Sequence, residues 1–175
     1  MSHVLSCTRP RVVASLLTVF FSLATPSVEA YSRRGTIDVR WMEGSACFGL
    51  PAAELRRLKR VVKLESISVF DLERSSTVPV WLDEYPWSGP RPLDPDGCLL
   101  FGDAQGSAAR KPLQPLRVGV PYEVVMKLER TKGTDPTMFH SARFCLRRQL
   151  DGETGLITLK HVGAKGWNTW ACEHT

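Results

Sequence analysis

From Tyr122 to Glu129 the chain alternates Tyr, Val, Met and Leu with Glu, Val, Lys and Glu, and this two-residue period fixes the local structure. Successive side chains of a strand point to opposite faces, whereas a helix repeats every 3.6 residues. The run therefore predicts a strand with Tyr122, Val124, Met126 and Leu128 on a buried face. The same period sets Ile37, Val39 and Trp41 against Asp38 and Arg40 within Thr36–Met42. In Leu64–Leu72, Ile67 and Val69 alternate with serines and the phase slips at Phe70, which predicts a β-bulge. Arg143–Leu150 puts Phe144, Leu146 and Leu150 on one face, with Cys145 and Arg147 opposite. Asp151–Gly155 then reads as a hairpin turn into a strand at Leu156–Val162. Shorter strands are expected at Ala46–Leu50, Val78–Leu82 and Cys98–Phe101, with Asp94–Gly97 as a turn.

One segment carries helical spacing. Ala52–Val62 places Leu55, Leu58 and Val62 on one side of a helix, and Pro51 suits its first turn. About seven or eight short strands separated by turn residues predict a mainly β fold, an antiparallel, immunoglobulin-like β-sandwich with at most this one short helix. No internal repeat or heptad run competes with that reading.

The N-terminus has the three parts of a secretion signal. Arg9 and Arg11 precede the apolar run Val12–Ala24, Pro26 breaks it, and Val28 and Ala30 are the small residues of a cleavage site. A membrane-spanning helix needs about 20 apolar residues, so this run is short for an anchor. Cleavage is expected after Ala30, leaving one domain, Tyr31–Thr175, in an extracytoplasmic compartment without a membrane span. Losing Arg9, Arg11 and Glu29 lowers the formal charge of +5 by one. That mild excess favours acidic partners in a general way, while export and the lack of a nucleic-acid-binding motif speak against nucleic acid as a partner.

Cys7 leaves with the signal, and Cys47, Cys98, Cys145 and Cys172 remain. An even set in an oxidising compartment predicts two disulfides. Three pairings are possible; joining neighbours along the chain gives Cys47–Cys98 and Cys145–Cys172. No C-x-x-C or H-x-x-x-H pair is present, so a zinc site is not expected.

Searching for chemistry returns little. The chain has no G-x-S-x-G elbow, phosphate-binding loop, dinucleotide fingerprint or H-E-x-x-H pair. No catalytic residue and no cofactor is assigned. Asp83 and Glu84 are adjacent, and adjacent strand residues face opposite ways, which is poor geometry for a shared acid–base site. The segment around them is the better binding candidate: Trp81, Tyr85 and Trp87 concentrate large aromatic side chains of the kind that anchor protein interfaces. Arg56, Arg57 and Arg60, on the helical segment, could meet an acidic partner.

Several fragments in order carry a family resemblance. They are the strand ending in Cys47 with Pro51 after it, Ser66–Phe70, Gly97–Gly102, Gly119–Val124 and Ala142–Leu146. This order resembles the small extracytoplasmic proteins of Gram-negative bacteria described as type VI secretion immunity periplasmic (lipo)proteins, over most of Gly35 to Thr158. The family's lipobox is missing here, and the tail from Lys165 to Thr175, with Trp167, Trp170 and Cys172, extends past the resemblance. The resemblance implies a periplasmic protein that binds and neutralises a toxin delivered by a type VI secretion system, by protein–protein contact and without catalysis. An envelope-assembly factor, such as a strand-donating sandwich chaperone, is the alternative in another class.

Overall fold

A computed structural model describes residues 34–58, 61–86, 88–103, 114–129 and 137–173. All of them belong to the unit Tyr31–Thr175, and the predicted leader lies outside the described residues. The strands are β1 (Gly35–Thr36), β2 (Asp38–Met42), β3 (Ser45–Gly49), β4 (Lys63–Asp71), β5 (Pro79–Glu84), β6 (Arg91–Pro92) and β7 (Leu99–Leu100), followed by β8 (Pro121–Leu128), β9 (Phe139–Arg148) and β10 (Thr154–Thr158). One helix, α1 (Ala52–Leu58), follows β3, and two 3-10 turns, Gly163–Lys165 and Thr169–Cys172, form the tail.

The strands make two sheets. The larger runs β1-β9-β8-β4-β5, with β10 also on β9 and β6 on β4; the smaller runs β2-β3-β7. Every pairing between strands is antiparallel except β1 with β9. With β2, β3 and β7 in the places of strands A, B and E, and β4, β8 and β9 in those of C, F and G, this is an immunoglobulin-like β-sandwich. The expected first strand is divided between the sheets. Gly35 and Thr36 pair with His140 and Ser141, and after Ile37 the chain pairs with β3. Ile37, buried at the crossing, lets one run of alternation serve both layers.

Alternation decides the core. The inward residues of β8 are Tyr122, Val124, Met126 and Leu128, as the period predicts, and all are buried. They pack with Ile67 and Val69 of β4 and Phe144 of β9 against Val39, Phe48 and Leu99 of the smaller sheet. Phe48 sits between the layers, its ring centroid 6.0 Å from that of Trp81 and 5.6 Å from that of Phe144. The predicted bulge is present between Val69 and Phe70.

A hydrogen bond characteristic of this fold closes one end. The hydroxyl of Tyr122, at the start of β8, accepts the backbone N–H of Arg117 at 2.7 Å, a tyrosine corner. The Arg117 guanidinium then reaches the buried Asp71 carboxylate at 2.8 Å. Asp71 Oδ1 also accepts the N–H groups of Glu73 and Arg74, so the turn after β4 is tied to the loop before β8.

Three expectations are corrected in extent. Leu150 does not share the face of Phe144. It lies in the β9–β10 turn and is fully exposed, because the Gln149 N–H donates to the Glu153 carbonyl and ends the strand at Arg148. β10 ends at Thr158, since Val162 and Lys160 bond back to Gly166 and Asn168 and lead the chain into the tail. The helix is described over Ala52–Leu58 and does not reach Val62. The Pro51 carbonyl starts it by accepting the N–H groups of Glu54 and Leu55, but the Val62 carbonyl accepts from Leu93 next to the β4–β6 pairing.

Both disulfides join chain neighbours: Cys47–Cys98 and Cys145–Cys172. The first fastens β3 to the start of β7. The second holds the tail against β9, where Cys145, Leu159 and Cys172, with Ile157, Trp167 and Ala171, make a second small core.

Candidate partner-binding surface

The described part of the aromatic segment is placed inside. β5 points Trp81 into the sandwich opposite Val69, where it is 2 % exposed and packs edge-on to Phe101 at 5.3 Å. Tyr85 is also buried; its hydroxyl donates to Asp83 Oδ2 at 2.7 Å and accepts from Arg91 at 3.2 Å. Burial, above all, raises the Tyr85 hydroxyl above its ordinary range. Trp81 and Tyr85 are therefore core residues and offer no ring to a partner. The strand period that buries Val69 and Ile67 on β4 buries Trp81 and Asp83 beside them. Trp87 lies outside the described residues.

The basic helix divides. Arg56 is exposed. Arg57 is turned onto Glu54, with Nε 3.0 Å from the carboxylate and an ion pair through the second nitrogen. Glu54 Oε2 lies 3.5 Å from Nε2 of His140, so this pair seats α1 on β9. Arg60 and Lys59 lie outside the described residues. His140 is fully buried, and the backbone of Gly35 lies flush on its ring, where an added Cβ would come within 2.0 Å of Cδ2. Burial holds the imidazole below its usual pKa; the Glu54 carboxylate opposes that and the Arg57 charge adds to it. Burial alone would raise Glu54, but the Arg57 hydrogen bond and charge, with help from His140, leave it below the usual carboxylate range. Glu54, Arg57 and His140 have the residue types of acid–base chemistry, yet the imidazole has no exposed surface and the cluster works as a fastening.

A cleft of about 220 Å³ opens between α1 and the Cys47–Cys98 bridge, lined by Phe48, Leu50, Leu55, Leu93, Leu99 and Arg91 among others. Apart from Arg91 and Asp94 its lining side chains are apolar or sulfur-bearing. Among the described residues no group of three or more His, Cys, Asp or Glu is arranged to hold a metal ion. Nor, among them, is any helix long and apolar enough to cross a membrane.

The C-terminal tail carries an exposed aromatic side chain. Trp167 is half-buried under the Arg143 guanidinium, 4.6 Å from the ring centroid, with His161 edge-on at 5.6 Å. Cys172 is fixed to Cys145, and between these anchors Trp170 is 62 % exposed. Val162, on the same tail, is exposed as well. This surface was missed as a binding candidate. The available signal was two tryptophans within five residues of a cysteine at the end of the chain.

Comparison with protein-family models, curated proteins and solved structures gives no match to this chain.

Proposed function

We propose that this chain is a periplasmic immunity protein that neutralises a toxin delivered by a type VI secretion system, by binding it. One contrast carries the reading. Three groups able to do chemistry, His140, Asp83 and Tyr85, are enclosed in the core, while the exposed surface offers an aromatic ring and cations on a disulfide-fixed frame. Enclosed titratable groups hold a fold together; exposed rings on a rigid frame bind at low entropic cost. The order of short motifs that resembles the immunity family supports the same reading. So do the predicted export signal and the two disulfides, which suit an oxidising compartment.

The test is co-expression. A candidate type VI effector from the same genome, directed to the periplasm, should stop growth of a host that lacks this protein. Co-producing Met1–Thr175 should restore growth, and a chain without Met1–Ala30 should not. Killing that continues unchanged beside correctly oxidised periplasmic protein would refute the proposal.

A further inference from the structure

The tail is an addition laid over the outer face of β9 and β10, and it is fastened at three points. Trp167 is clamped by Arg143 and His161. Asn168 exchanges two hydrogen bonds with the Lys160 backbone, its Oδ1 accepting at 2.6 Å and its N–H donating at 3.1 Å. Cys172 is bonded to Cys145. Trp170 lies between the second and third fastenings, in the 3-10 turn Thr169–Cys172. Its neighbour Trp167 packs inward; Trp170 faces outward. An indole held outward by a covalent staple has already lost its freedom, so little ordering entropy remains to be lost when it docks. Tryptophan is also among the residues most enriched at the energetic centres of protein interfaces.

The charges around the tail define its partner. On the outer face of β9 the order is Arg143, Cys145, Arg147, so Arg147 follows the staple by about 7 Å. Several other cations on the larger sheet and the loop before β8 are matched: Arg143 with Glu123, Lys127 with Glu65, Lys63 with Glu129, Arg117 with Asp71. Arg147, Arg148 and Lys160 make no ion pair among the described residues, and Arg148 and Lys160 are exposed. From Phe139 to Glu173, Arg143, Arg147, Arg148, Lys160 and Lys165 outnumber Asp151, Glu153 and Glu173.

We infer that this stapled tail is the contact surface of the protein: Trp170 enters an apolar pocket on an acidic protein partner, and Arg147 and Lys160 face carboxylates at the rim of that pocket. The inference rests on the reading of the chain as a toxin binder and adds where, and with what chemistry, the toxin is held. A bilayer fits less well. One ring on a rigid turn, with the exposed acid Glu173 beside it, is shaped for a pocket and lacks the broad apolar face that lies in a headgroup layer.

The experiment measures binding of the purified, oxidised chain to the candidate effector used in the co-expression test. Trp170→Ala should weaken the equilibrium affinity by about 30-fold or more, the size of an interface hot spot, while the variant stays folded, as its far-ultraviolet spectrum and cooperative urea transition show. Arg147→Glu with Lys160→Glu should slow association by about tenfold and flatten its dependence on salt. Arg40→Ala, on the smaller sheet and paired with Asp38, should bind as the parent does. If the parent binds and both tail variants bind equally well, the inference falls and the immunity reading stands. If the parent itself neither binds nor protects, both fall. Binding of the chain alone to vesicles of phosphatidylethanolamine and phosphatidylglycerol, lost in Trp170→Ala, would overturn the assignment to a protein partner.

Discussion

Replacing Tyr122 by Phe isolates the corner that ties β8 to the preceding loop. The ring stays: Tyr122 is 1 % exposed, stacks on Phe144 at 5.7 Å, and Phe keeps that contact. Only the hydroxyl goes, and with it the acceptor for the partly buried Arg117 N–H at 2.7 Å. Leaving a buried donor unsatisfied costs about 1–3 kcal/mol, and the partial access of this N–H to water puts the change near 1–2 kcal/mol. For a domain of this size that corresponds to roughly 3–8 °C in Tm. The assay is urea unfolding followed by tryptophan fluorescence at neutral pH, with the slope of the transition required to match the parent. A second variant, Tyr122→Leu, removes the ring stack as well and should lose clearly more. A Tyr122→Phe midpoint indistinguishable from the parent would show that the corner does not stabilise this sandwich.

Three further outcomes follow from the same contacts. The folded protein holds the buried His140 imidazole below its ordinary pKa, so the unfolded chain takes up a proton first as pH falls. Stability present above the unfolded value of about 6.5 should therefore decline on acidification below it; His140→Gln should flatten that slope in urea midpoints taken between neutral and mildly acid pH. Removing the Cys145–Cys172 bridge by a double Ser substitution opens a loop of sequence separation 27 and should cost up to about 3–4 kcal/mol, read from the urea midpoint of the far-ultraviolet signal. Phe48→Ala, at a fully buried site touching Trp81 and Phe144, should cost about 3–5 kcal/mol in the same assay.

Much of the fold is legible in the sequence because strand alternation is local. β8, the bulge at Phe70 and the β9–β10 hairpin follow from period and turn residues alone. The division of the first strand is not visible, since Ile37 continues the same alternation while its neighbours change sheets. The beginning of β9 is hidden because the buried face there is carried by His140, a polar residue whose place depends on Glu54 and Gly35 far away in the chain. Leu58 and Val62 fit one helical face, and only the pairing of the next segment with β6 shows that the helix has ended by then. The candidate surface is harder to read. Trp81 and Tyr85 look like a recognition cluster by density, but which face of β5 is covered depends on where the smaller sheet lies. The Glu54–Arg57 pair, three residues apart, is a local pattern; its contact with His140 is not. Cysteine parity predicts that the tail is stapled, yet which of its two tryptophans faces outward depends on Arg143 and His161 gripping the other.

Stoichiometry distinguishes contact from turnover most directly. Toxin activity should be titrated with the purified, oxidised protein at concentrations well above their dissociation constant. Neutralisation by contact predicts a straight decline that reaches zero at one equivalent and does not deepen with longer incubation. Loss of toxin activity at a small fraction of one equivalent, growing with time, would contradict it.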